Sequence, residues 1–197
     1  CGQIFTDPRD NNTYETILIG SQCWMKENLA YLPSINGPDV EWNSTTEPRY
    51  SVYGYSDIDN SVEDAKNSFN YKTYGVLYNW PAAIISCPKG WRLPTDKDQY
   101  ELENYLKNND SSCDPERRGS WDCNSAGVKM KNSSWGGDNS SNFNALSSGH
   151  RAVDGSFYYI YSTFGFWSSS NISNSGGWSR ILVSGYPDVR RVSSNKA

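Results

Sequence analysis

At 197 residues the chain is long enough to bury a substantial core as one large domain or two small ones. Hydrophobic residues make up 36% and mean hydropathy is -0.75, yet aromatics reach 14%, which excludes a disordered chain. A net charge of -4, a pI near 5.0 and the absence of any Lys/Arg block exclude a nucleic-acid reader.

In chain order, Thr6 to Asn12 is rich in turn residues and leads into Tyr14–Gly20, a β-branched run that reads as a strand. Gly20 and Ser21 make a turn into a second short strand, Gln22–Met25. Residues 33 to 73 alternate Pro, Gly, Asn, Asp and Tyr without a sustained period, and predict a long irregular region. Tyr74–Ile85 reads as a short buried helix, with Pro81 tolerable in its first turn. After Pro94 comes the clearest helix. Thr95 is its N-cap with Asp98 three residues on, Leu102, Tyr105 and Leu106 form the apolar stripe, and Glu101 and Glu103 the wet face. From Gly127 onward, short aromatic pieces such as Phe157–Tyr161, Phe164–Trp167 and Trp178–Val183 predict short strands with polar connections. Helices ahead of a strand-rich half make an α+β arrangement. The longest apolar run, Ala82–Ile85, is far too short for a membrane span, so no membrane insertion is expected.

The five cysteines form no close CxxC pair, and one histidine cannot complete a Cys/His metal cage. Cys113 and Cys123 flank a polar loop and read as a local staple; Cys1 and Cys23 flank the first hairpin and read as a second pair. Both pairings need an oxidising compartment, which predicts an extracellular or cell-surface location. A lipid-modified mature N-terminus is the alternative for Cys1. The chain starts at Cys1 without a signal peptide, which reads as a processed protein or a fragment. Sequons at Asn11, Asn43, Asn109, Asn132, Asn139 and Asn171 permit a glycoprotein without demanding one.

Several motifs in order carry a resemblance over nearly the whole chain. They are Phe5–Asp10, Gln22–Leu29, Tyr74–Trp80, Cys87–Thr95, Phe143–Leu146, Gly149–Arg151, Asp154–Phe157 and Phe166–Ser170. Together they resemble the Fibrobacter succinogenes major paralogous domain, a family of secreted and surface bacterial modules. The resemblance implies a C-type-lectin-like fold related to the formylglycine-generating-enzyme architecture. Two helices would flank a small twisted antiparallel sheet with long irregular loops, and the Trp167-Ser168-Ser169 segment would be an interior strand. It also implies a single domain over 1–197 that lacks its last strand, since similar chains continue past an Asn-Lys-Ala into a strand ending in cysteine. That cysteine would be the partner of Cys87.

For catalysis, no activated nucleophile and base emerge. His150 stands where similar chains often carry Tyr and reads as a packing residue at a strand start. No nucleophile elbow or phosphate loop is present. The enzyme relatives implied by the resemblance need a late cysteine pair, and nothing after Cys123 supplies one. The expectation is a non-catalytic module requiring no cofactor. Asp57, Asp59, Asn60, Glu63 and Asp64 read first as a solvated acidic turn and helix cap, with calcium as the alternative. By the lectin-like resemblance, ligand contacts fall on the late strands and loops, here Asn171, Asn174, Trp178, Arg180, Tyr186, Asp188, Arg190 and Arg191. Their mixture of aromatic, Arg and Asn side chains suits a paratope. Ile181 and Val183 share one face of a strand and Arg180, Leu182 and Ser184 the other, where Leu182 interrupts an otherwise polar pattern. The function expected is recognition of a surface glycan or protein through C-terminal loops, or else a pilin-like structural subunit that self-associates in a filament.

Overall fold

The computed structural model describes residues 1–37, 40–56 and 61–197. Turn chemistry organises its start. β1 (Phe5–Thr6) pairs antiparallel with β2 (Thr13–Tyr14), and Asn11 takes the left-handed conformation between them. Asp7 is fully buried in that turn, held by its own loop's Arg9, whose guanidinium also reaches the Ser86 carbonyl at 2.8 Å. The expected strand from Tyr14 is therefore split at Glu15. Its second part, β3 (Thr16–Ile19), pairs with β4 (Gln22–Met25) across a two-residue turn in which Gly20 has φ +60°.

Within the stretch expected to be irregular lie β5 (Tyr50–Ser51), α1 (Val62–Asn67) and α2 (Phe69–Tyr74). Ser68 both ends α1 and starts α2: its hydroxyl donates to the Ala65 carbonyl and accepts from the Tyr71 amide. Six-residue helices are too short to show a period, which is why the sequence pattern missed them. Gly75 has φ +72°, and a Cβ there would meet the Leu29 carbonyl oxygen at 2.8 Å. The chain consequently breaks, forms β6 (Leu77–Tyr78) against β5, and begins α3 (Trp80–Ser86) later than expected, with Asn79 as N-cap.

α4 (Asp96–Leu106) has the expected Thr95–Asp98 capping box. Leu102 and Leu106 are buried as predicted, but Tyr105 is exposed and Glu103, read as wet, is completely buried. There follow β7 (Trp121–Asp122), α5 (Ala126–Met130), a 3-10 turn at Ser133–Trp135, β8 (His150–Arg151) and β9 (Phe157–Tyr158). The last strands are β10 (Thr163–Asn171), β11 (Gly176–Val183) and β12 (Val189–Asn195).

A four-stranded antiparallel sheet in the order β10-β11-β12-β7 is the largest layer, and α4 packs on β10 and β11 with α5 against it. One core, under this sheet, gathers Leu102, Met130, Trp135, Phe164, Leu182 and Val189. A second, around Leu32, Tyr50, Val52, Tyr71 and Val76, holds the irregular half together. The architecture is mixed α/β. Among the described residues it has five short α-helices, where two were expected, and small antiparallel sheets. No helix among them is long and apolar enough to cross a membrane.

Candidate functional site

The residues expected to face a ligand separate into three groups. Trp178, Arg180 and Leu182 share the inner side of β11, so the side read as polar is the core side. Arg180 has no exposed side-chain surface: its Nε donates to Glu103 and its Nη1 to Asp96 at 2.7 Å. Arg117 donates to the other Glu103 oxygen, and Arg191 closes the cluster on Asp96 at 2.8 and 3.0 Å. Burial opposes ionisation of Asp96, but hydrogen bonds from Arg191 and Arg180 override it and hold its pKa below the usual carboxylate value. The Arg191 guanidinium lies 3.4 Å from the centre of the Trp178 ring. Buried charges of this kind must be paired, and these are. Trp178, Arg180 and Arg191 are thus framework rather than contact residues.

Asn171 and Asn174 are exposed at the β10–β11 hairpin. Tyr186 and Asp188 sit in the β11–β12 hairpin, at the opposite end of the sheet. The eight residues of β11 separate the two tips by about 25 Å, so they do not form one site. Tyr186 stacks on Trp121 with ring centres 4.4 Å apart, and Arg190 lies over the same indole while donating to the Gly119 carbonyl. Burial pushes the Asp188 carboxyl above its ordinary pKa.

Of the calcium candidates, Asp57, Asp59 and Asn60 lie outside the described residues. Glu63 and Asp64 are exposed in the first turn of α1, where they complement the helix dipole and Ser61 accepts from the Asp64 amide. Glu103, Cys113 and Cys123 also bring ligand-type atoms within 4.8 Å of one another. The two sulfurs are spent in a disulfide and the carboxylate on two arginines. Cys1–Cys23 is bonded as well, as expected, leaving Cys87 as a half-buried thiol whose pKa burial pushes up, away from the reactive thiolate.

An aromatic face at the β8–β9 hairpin was not foreseen. Phe157–Tyr161 reads as a strand, yet only Phe157 and Tyr158 are extended. Tyr159 and Tyr161 adopt φ +61° and +69° and are 63% and 61% exposed. The Tyr159 carbonyl accepts from the Ser162 and Thr163 amides, and the Tyr161 amide donates to the Ser147 carbonyl. His150, Tyr158 and Tyr159 form a triangle with ring centres 5.6–5.9 Å apart, and Tyr161 meets Tyr74 of α2 edge-on at 6.3 Å. Beneath them Arg151 is buried. It donates to the Gly155, Asn36 and Gly37 carbonyls and lies over the Trp42 and Phe157 rings. Desolvation holds His150 below the ordinary histidine pKa, so it is neutral at pH 7. The signal available in sequence was five consecutive large apolar or aromatic residues, since a two-stranded hairpin can bury only alternate ones.

Behind His150, Arg151 and Val153 opens a cavity of about 980 Å³ with an aromatic lining that includes Trp24, Trp91 and Trp167. Comparison with known families finds that residues 17–196 match the Fibrobacter succinogenes major domain. The chain belongs to that family. No match was found among curated proteins or among solved structures. Several of the segments that carry the Fibrobacter succinogenes major domain resemblance serve as scaffold here, while Gly149–Arg151 and Tyr74–Trp80 also contribute His150 and Tyr74 to the aromatic face. Asn79 is fully buried. It caps α3, and its side chain also accepts from the Arg49 amide and donates to the Ser44 and Glu47 carbonyls. The Trp80 and Trp167 indoles donate to the Ser168 and Tyr78 carbonyls, tying α3 and β6 to β10. Tyr158, Tyr159 and Tyr161 lie just past the last residue of the Asp154–Phe157 motif.

Proposed function

We propose that this domain is a non-catalytic, extracellular recognition module with a C-type-lectin-like fold, and that it holds a surface glycan or protein on the aromatic face of the β8–β9 hairpin. The observation that carries this reading is the cluster of exposed tyrosines, two of them kept in a backbone conformation that costs an L-residue about 1–2 kcal/mol. Aromatic rings displayed in the open supply contact area at low entropic cost, since each has only two side-chain torsions to fix. Support for the location comes from the two disulfides, which persist in oxidising surroundings. Support for the lectin-like arrangement comes from α4 lying on an antiparallel sheet with long connections. Cys87, with its raised pKa, and the neutral His150 lie on different elements and are given no catalytic part.

The test is binding of the full chain to immobilised arrays of glycans and of surface proteins. Tyr159→Asn and Tyr161→Gly, which suit a positive φ, are expected to lose the signal, while Asn171→Ala and Asn174→Ala keep it. Binding untouched by ring removal would overturn the assignment. Concentration-dependent assembly abolished by the same variants would instead make the domain an appendage subunit.

A further inference from the structure

We infer that the ligand of the tyrosine face is a neutral polysaccharide, its sugar rings laid against Tyr159 and Tyr161 with His150 and Tyr158 alongside; this rests on the aromatic-face reading above. Charge decides the class. The face presents phenol hydroxyls and a neutral imidazole. The cation beneath it, Arg151, directs its donors at four backbone carbonyls and has no free fork for a carboxylate or sulfate. Asp154 in the hairpin turn and Lys72, two residues before Tyr74, carry opposite signs, so neither polyanion nor polycation meets a matching cluster.

Geometry points the same way. The rings of His150, Tyr158 and Tyr159 are tilted by 36–40° rather than stacked, so no ring covers its neighbour's whole face. Centre-to-centre spacings of 5.6–5.9 Å within the His150–Tyr158–Tyr159 group, and of 6.3 Å from Tyr161 to Tyr74, are each comparable with the width of a hexose ring. A pyranose offers an apolar C–H face to the negative face of an aromatic ring and a rim of hydroxyls to phenol oxygens that both donate and accept. A stable protein partner asks for about 800 Å² and 20–30 residues on each side, whereas this face is one two-stranded hairpin and the end of α2.

The full chain would be run through native gels containing soluble β-1,4-glucan, β-1,3-glucan, xylan or dextran, with polygalacturonate and heparin as acidic polymers. Retardation by at least one neutral polymer, unchanged by added salt, is expected. Tyr159→Asn and Tyr161→Gly should each weaken it by at least about fivefold while unfolding at the same or higher urea concentration. Salt-sensitive retardation by acidic polymers alone overturns the neutral-sugar inference, and if the same variants abolish it the aromatic face stands. Retardation by a neutral polymer that both variants preserve overturns both readings. Retardation by none overturns the sugar inference alone, because the protein arm of the binding arrays tests the face separately.

Discussion

Two regions of this molecule use their side chains in opposite ways. Under the main sheet, residues with the chemistry of a binding site (three arginines, two carboxylates and a tryptophan) are consumed by one another and, apart from the partly exposed Asp96, see almost no solvent. At the β8–β9 hairpin, residues with the chemistry of a core stand in the open. Residue type alone therefore misassigns both, and the deciding quantity is whether each polar group has an internal partner.

Breaking the buried cluster should have the largest effect. Glu103→Ala leaves Arg117 and Arg180 buried without their shared carboxylate, and is expected to cost about 3–5 kcal/mol in urea unfolding. A loss below about 1 kcal/mol would mean that water reaches the site. Replacing both Cys113 and Cys123 by serine opens a loop of sequence separation 10 and should cost roughly 2.5–3 kcal/mol. If the loss is nearly zero, the buried position of Arg117 keeps that loop in place by itself.

Acid gives a graded version of the first test. The pKa values of Asp96, Asp98 and Asp7 are lowered in the folded chain, so the unfolded chain binds more protons as pH falls toward and below the ordinary value of 3.8. Their contribution is complete above that value and is lost as pH drops through the lowered ones. His150, also lowered, adds a smaller loss below its ordinary 6.5. The urea midpoint should fall gently from pH 7 to 5 and steeply below 4; a flat profile would contradict the pairing.

Tyr159→Asn tests the other region, with the sign reversed. Asparagine tolerates a positive φ, so this variant should gain up to about 1 kcal/mol while losing ligand. A loss of stability would show that the ring is packed rather than displayed. The smallest effect belongs to Asn171→Ala and Asn174→Ala at the exposed hairpin, expected within about 0.5 kcal/mol and without effect on binding.

Punctuation made much of the fold legible. The Gly20 turn, the Thr95–Asp98 box and the two local cysteine pairs stand where the residues predict. The paired helices joined at Ser68 did not show, because six residues complete fewer than two turns. The site was harder to read. Leu182 held the clue on β11: an apolar residue alternating with Trp178 and Arg180 marked their shared face as internal. Glu103 gave no local sign, since its partners lie 14 and 77 residues away.

That distance has a consequence for how the chain is made. Synthesis at about 5–20 residues per second leaves Glu103 waiting about 4–15 s before Arg180 exists, and Arg191 follows after Asp96 has waited longer still. During that interval Glu103 has only Arg117, 14 residues on, as an arginine partner, and Asp96 has neither of its own. The buried cluster therefore closes only once β11 and β12 have been made, so the docking of α4 on the main sheet is tied to the last strands of the chain.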